Sequence, residues 1–376
     1  MDSMKILVLE ACGLSLSYLG CYGSEWVATP NLDRIAAEGI VFDWHFVDQP
    51  ELLPSTPLPK RSVGTGCYAL EAAIGAPMQP HVTRCELLPS FADDVLKAME
   101  TNDAWLWIEG PSLLPPWIRE DDLLGMYFDE DDLEDRLTPW TDPPFEVADL
   151  DEAEVLELQN TYAAVVTLFD AQLEVIVNHL DDDTLLCVTA RSGLPLAEHG
   201  MIGTPQPRLH DELVHVPLLV RLPNRPSRLA PLPGREPENA GLRIAALTQP
   251  VDLLPTILEA LGQSIPPTHG RSLWPLIRGE VDSIRPYAFA HLQAGGEESR
   301  LIRTPTWALH VDPSGARAAQ VYVKPEDRRE VNDLGQQQIE AAEQMAATMR
   351  AFMDAIRRPG PLTYPSINVD STAESR

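Results

Sequence analysis

Lysine is nearly missing from this chain: Lys5, Lys60, Lys97 and Lys324 are the only four in 376 residues. Few positions are therefore open to a lysine-based mechanism. Basic residues number 28 against 57 acidic ones, a formal net charge of −29. A field of that sign repels polyanions and excludes nucleic acid as a partner. Cysteine is sparse too. Cys12, Cys21, Cys67, Cys85 and Cys187 are odd in number, scattered, and contain no C-x-x-C pair. Neither a zinc knuckle nor a disulfide framework is indicated, and the expectation is reduced thiols in a cytoplasmic protein. No apolar run approaches the roughly 18 residues that a membrane span needs. The first apolar run, residues 6–9, follows Asp2 and is cut by Glu10, so it reads as a strand and not as a secretory leader. The phosphate-loop, dinucleotide, nucleophile-elbow and zinc-protease signatures are all missing.

What is present alternates between strand and helix patterns. Residues 5–11 are a short, largely apolar run closed by Gly13, the pattern of a buried parallel strand. Thr29 is placed to cap a helix that starts at Pro30, carries Leu32, Ile35 and Ala36 on one face, and stops at a left-handed Gly39. Residues 40–42 then read as a strand and 48–61 as a proline-rich loop. Residues 62–73 are a weak helix, 91–99 a helix and 104–108 a strand in which Trp105 and Trp107 are core. Residues 111–153 lack periodicity and include Asp129-Glu130-Asp131-Asp132, which predicts an acidic surface excursion. The clearest helical period runs from 154 to 180 through Tyr162, Val165, Phe169, Leu173, Ile176 and Leu180. Strands follow at 184–190 and 216–222, and a helix from Asp252 to the stop at Gly262. After about residue 283 the pattern becomes four short strands (287–292, 301–302, 307–311, 320–323) and one amphipathic helix (336–356). The expectation is an α/β domain over 1–282 with a central, mostly parallel sheet flanked by helices. A small antiparallel sheet-and-helix subdomain over 283–358 and a loose tail over 359–376 complete it.

Specific strings sharpen this reading. Leu19-Gly20-Cys21-Tyr22-Gly23 with Thr29-Pro30-Asn31-Leu32-Asp33-Arg34 resembles the N-terminal signature of the sulfatase family, in the alkaline-phosphatase superfamily. Glu198-His199-Gly200, His210-Asp211-Glu212, Val216-Pro217-Leu218, Gly270-Arg271-Ser272-Leu273 and Glu330-Val331-Asn332-Asp333-Leu334 resemble later family segments in the same order. The resemblance implies an alkaline-phosphatase-like sandwich. It also implies a site where a divalent cation, usually calcium held by carboxylates, meets a formylglycine nucleophile and Lys, His and Arg groups.

The residues at those places differ from the pattern. Where the family puts its first metal aspartates, the chain has Cys12 and Gly13, with Glu10 as the outside candidate ligand. Where the second metal segment belongs, it has Arg191 and Ser192. The formylglycine motif is missing: Ser55-Thr56-Pro57 is the nearest fragment, and Thr56 falls at the nucleophile place with Lys60 at the arginine. His199 matches a family position near the sulfate, and Arg208 is the cation in the loop where a lysine is usual. The reading is a pseudo-sulfatase, with no cofactor predicted. It is repurposed to bind a small anion near Lys60, Arg61, Arg191, His199 and Arg208, or to bind a protein partner. Arg191 is expected to stand in for the cation and to pair with Glu10. The alternative is a working sulfate or phosphate ester hydrolase that uses Thr56 or Ser55 with atypical ligands.

Overall fold

β1 (Lys5–Cys12) is the strand from which the rest is laid out. It pairs in parallel with β4 (Trp105–Ser112) on one side and β5 (Thr184–Ala190) on the other. The computed structural model describes residues 4–50, 81–85, 88–101, 105–117, 121–128, 140, 142–143, 150–203, 208–223, 241–294, 296–357, 362–367 and 369. Ser55, Thr56, Lys60, Arg61 and the expected helix over 62–73 lie outside the described residues, as does the acidic run 129–132.

The sheet has seven strands in the order β3-β4-β1-β5-β6-β2-β7, with β2 at Ile40–His45, β3 at His81–Arg84, β6 at Leu218–Arg221 and β7 at Leu242–Thr248. β6 alone runs against its neighbours, β5 and β2. The strands at 81–84 and 242–248 complete the sheet at its two edges and were not expected from sequence. Both are flanked by polar residues that mask a strand period.

Side chains alternate across a strand with a period of two. Leu7, Leu9 and Ala11 therefore enter one core and Ile6 and Val8 the other. The first core is closed by α1 (Pro30–Glu38), α2 (Phe91–Thr101) and α4 (Glu152–Asn178), the second by α6 (Leu253–Ala260) and α7 (Trp274–Ile277). α3 (Asp121–Leu124) and α5 (Asp211–Val214) are single turns. The excursion is not wholly a surface feature: Leu113, Leu114 and Trp117 are buried in the first core. Among the described residues no helix is long and apolar enough to cross a membrane.

α1 departs from its expected ends. The Thr29 hydroxyl does not cap the helix; it accepts from Gly20 N at 2.9 Å. The first-turn amides of Asn31 and Leu32 instead donate to the Asp170 carboxylate, which reaches them from the middle of α4. An anion at a helix N-terminus satisfies orphan donors and the dipole together. Gly39 is not left-handed (φ −131°). It is glycine because a Cβ there would stand 2.6 Å from the Val220 carbonyl oxygen. α4 begins two residues before the expected start, because Asp151 and Glu154 form a reciprocal capping box.

The last third forms a four-stranded antiparallel sheet, β11-β10-β9-β8, from Ala288–Ala294, Glu297–Arg303, Trp307–Val311 and Gln320–Val323 in chain order. α8 (Ile339–Ala355) covers it with Ala341, Met345, Met349 and Phe352. Leu362, Tyr364, Ile367 and Val369 pack on the same core, so these residues are docked where the sequence reads as a loose tail.

Phe169 is fully buried on α4 and packs against Phe91 of α2 with ring centroids 5.9 Å apart. Phe169→Ala is expected to cost about 3–5 kcal/mol of unfolding free energy, through lost transfer energy plus the cavity left behind. A denaturant titration measures it.

Candidate functional site at the strand ends

β1, β2, β4, β5 and β7 all end at one edge of the sheet, and the residues that follow them are tied together through the backbone. Arg191 N donates to Ala11 O, and Gly13 N and Leu14 N both donate to Ser192 O. Leu113 N donates to Cys12 O, and Phe46 N to Thr248 O. Gly193 is held so close to α5 that a Cβ would meet the Glu212 carbonyl oxygen at 2.1 Å. From α4, the Tyr162 hydroxyl donates to Gly13 O at 2.5 Å and accepts from Ser15 N at 2.8 Å. The carboxyl ends of parallel strands are where open α/β sheets bind ligands.

One polar row crosses the sheet just below that edge. In register, Arg84 of β3 neighbours Glu109 of β4, Glu109 neighbours Glu10 of β1, and Glu10 neighbours Thr189 of β5. Glu10 and Glu109 are 2% and 1% exposed. Arg84 donates to Glu109 Oε2 through Nε and Nη2, at 3.2 and 3.1 Å. Arg191, itself buried, brings Nη1 to 3.7 Å from the same oxygen. The expected partner of Arg191 was Glu10; its ion pair is with Glu109, one strand further on. Glu10 instead accepts from the Trp107 indole at 3.2 Å. By alternation Trp107, Glu109, Glu10 and Arg191 all lie on one face of the sheet, and there the indole takes up Glu10 while Glu109 meets the guanidinium.

A second group gathers around His199. Its loop contains Ala197 at φ 85° and His199 at φ 55°, and across from it Glu330 stands at φ 52°. Among the described residues these are the three non-glycine residues with positive φ, a strain that collects at functional positions. The His199 ring stacks on His210 with centroids 3.7 Å apart and planes 11° from parallel. His210 Nδ1 donates to Glu330 Oε2 at 2.6 Å. His310 Nε2 lies 3.2 Å and Lys324 Nζ 3.0 Å from Glu330 Oε1. Lys324 also reaches Asp211 at 2.8 Å, which links the C-terminal sheet to α5. His199 Nε2 faces Glu212 Oε2 at 3.6 Å. Glu212 raises the His199 imidazole above its usual range against the opposing effect of burial. Burial lowers His210. Burial by itself would raise Glu330, but His310, His210 and Lys324 outweigh it and hold that carboxyl well below the usual range. Arg208 lies toward the C-terminal sheet, where its charge acts on Tyr322.

Ligand atoms of His199, His210 and Glu330 lie within 4.8 Å of one another, yet the group does not suit a metal. Each imidazole lone pair lies in its ring plane, and an ion about 2.1 Å from both nitrogens of parallel stacked rings would sit far out of both planes. Glu330 already holds a lysine ammonium. At the strand ends the described Cys12 thiol, Ser192 hydroxyl and Arg191 guanidinium do not suit a hard cation that requires several charged oxygens, and the nearest carboxylates, Glu109 and Glu10, are engaged by guanidinium and indole groups. Cys12 Sγ and Ser192 Oγ lie 3.5 Å apart.

The sulfatase family model matches residues 76–263, half of the chain. The chain belongs to the sulfatase family. Among curated proteins it is similar to the multifunctional alkaline phosphatase superfamily protein PehA of Trinickia caryophylli, 29% identical over 136 residues, 35% of this chain and 24% of that protein. It is also similar to dog arylsulfatase H, 33% identical over 73 residues, 19% of this chain and 12% of that protein. The matches thus span a quarter or less of the curated relatives' length. Among solved structures it resembles BT4656, determined with its substrate D-glucosamine-2-N,6-O-disulfate, at TM-score 0.68 and 17% identity over 95% of this chain and 98% of that one. The phosphonate monoester hydrolase of Agrobacterium radiobacter follows at TM-score 0.64 and 17% identity, covering 94% and 95%. Against that family, Glu109, His210, His310, Lys324 and Glu330 are the polar residues that sequence reasoning passed over. His210 and Glu330 sit inside the strings that carry the family resemblance and were read as scaffold.

His45 closes β2 at the same edge. It is fully buried, with Nδ1 2.9 Å from Thr248 Oγ1, and burial first, then the Arg285 and His215 charges, push its imidazole down to about 3. Below pH 6.5 the unfolded chain takes up a proton that the native state refuses. Unfolding free energy is therefore expected to fall by about 1.4 kcal/mol per pH unit for this group, and to stop falling near pH 3. His45→Gln should flatten that part of the acid titration of stability.

Proposed function

We propose that this chain is a sulfatase-family protein without the family's metal-dependent ester hydrolysis, using the strand ends to hold a small oxyanion through cationic side chains. The observation that carries the reading is Arg191, a buried guanidinium balanced by Glu109 where the family supplies a metal ligand. A permanent positive charge there opposes a divalent cation and favours an anion. His199, raised by Glu212, adds a second positive group, and Arg208 a third in the adjoining loop. The bound substrate of BT4656 and the name of the phosphonate hydrolase make sulfate and phosphate the natural probes. The free thiols of Cys21, Cys85 and Cys187 support a reducing, cytoplasmic setting.

The competing hydrolase reading needs a cluster of free carboxylates around Thr56 or Ser55. Of the acids nearest the strand ends, Glu109 is engaged by two guanidinium groups and Glu10 by an indole.

Inorganic sulfate and phosphate are expected to raise the unfolding free energy of the wild-type protein, by about 2.7 kcal/mol when the anion is at 100 times its dissociation constant. Arg191→Met should remove that gain. After dialysis against calcium, magnesium, manganese and zinc in turn, metal content by plasma mass spectrometry should stay far below one equivalent, with no turnover of nitrophenyl sulfate or phosphate. One retained equivalent together with turnover would restore the hydrolase reading.

A further inference from the structure

Glu330 is the point at which the C-terminal sheet reaches into the strand-end loops. It is 2% exposed and sits in a left-handed backbone conformation that a glutamate adopts only when its surroundings hold it there. Every polar contact of its carboxylate is a donor: His210 Nδ1 on one oxygen, and His310 Nε2 and Lys324 Nζ on the other. With its Nδ1 proton committed to Glu330, His210 is fixed in one tautomer and one ring plane. That plane is the surface on which His199 lies, at 3.7 Å and 11°. His199 is held in a strained loop with its Nε2 toward Glu212.

We propose that Glu330 is the positioning residue of the anion site: it fixes His210, and the face of His210 fixes His199. This rests on the reading that His199 is one of the cationic groups at that site. The charged and titratable groups around the file are few. His199 faces Glu212, Glu198, Glu330 and His210; His210 faces Glu330, His310, His199 and Tyr322. Glu330 faces the two histidines and Lys324, with Arg303 and Tyr322 feeling its charge. Glu330 is also among the charges that favour the protonated form of His199. Removing its carboxylate therefore withdraws a negative charge that favours protonated His199 and frees the ring on which His199 stacks. The C-terminal sheet contributes to the site through this carboxylate, one imidazole ring away from His199.

The test is an NMR titration of the imidazole carbon-bound protons of the full chain, with His199 identified by the signal lost in His199→Gln. Wild type, Glu330→Gln and Glu330→Asp are compared, each with and without inorganic sulfate. Without sulfate, the His199 midpoint is expected to drop by at least about 0.5 pH unit in Glu330→Gln and by less in Glu330→Asp. Aspartate keeps the charge beside Lys324 and tolerates positive φ, so it decides the matter if the glutamine variant does not fold. An unchanged midpoint in a natively folded variant overturns the proposal. The sulfate arm reads the other premise: sulfate should raise the wild-type midpoint. A midpoint indifferent to sulfate but sensitive to Glu330 would remove the anion reading and leave the positioning intact.

Discussion

A guanidinium inside a protein calls for a matching anion, because leaving a buried charge unpaired costs about 3–5 kcal/mol, a large share of the net stability of a domain. Placing Arg191 directly after β5 imposes that requirement on the strand-end edge. Glu109 answers it from β4, two strands away across β1, and Arg84 comes in from the sheet margin to share the same oxygen. The row is therefore specified by charge balance and by register together. A one-residue slip of β4 would turn Glu109 to the opposite face and leave Arg191 unmatched.

The same constraint recurs where the molecule is most ordered. Asp252, at the entry to α6, is fully buried and is held by Arg285 and by the amides of Gln249 and Arg271. Glu330 is held by two histidines and a lysine, and that lysine is shared with Asp211. Each centre joins segments far apart in sequence, so the polar interior records which elements must come together, whereas the apolar cores accept many pairings of similar volume. What such centres contribute is specificity of arrangement more than stability, since replacing a buried pair by apolar residues is often neutral.

The sequence made the architecture readable where burial imposed a period: the strands at β1 and β5, the long helix α4, and the change to short antiparallel strands after about residue 283. The expectation that Cys12, Gly13, Arg191 and Ser192 occupy the family's metal-ligand places also came from the strings alone. The partner of Arg191 was not readable, because which carboxylate faces it depends on the register of β4 and on a face chosen by Trp107. The His199–His210–Glu330 file was hidden for a related reason. Its members are 11 and 120 residues apart in the chain, and each lies in a string whose other letters are needed for the fold. Nothing in residue type separates a glutamate that closes a loop from one that orders a histidine.

The net charge limits what the proposed anion site can hold. With 57 acidic residues against 28 basic ones, the surface potential opposes the approach of any anion, and each additional negative charge on a ligand adds to that opposition. For the proposed anion site, attraction has to come at short range, from the buried Arg191 and the part-buried His199, where a single charge acts more strongly than in bulk water. In the proposed site those conditions would select for compact oxyanions with one or two charges and against long sulfated chains. Screening by salt weakens the long-range repulsion more than the buried contacts. Such a site would admit its ligand more readily at physiological ionic strength than in dilute buffer, the reverse of the behaviour of a basic, polyanion-binding surface.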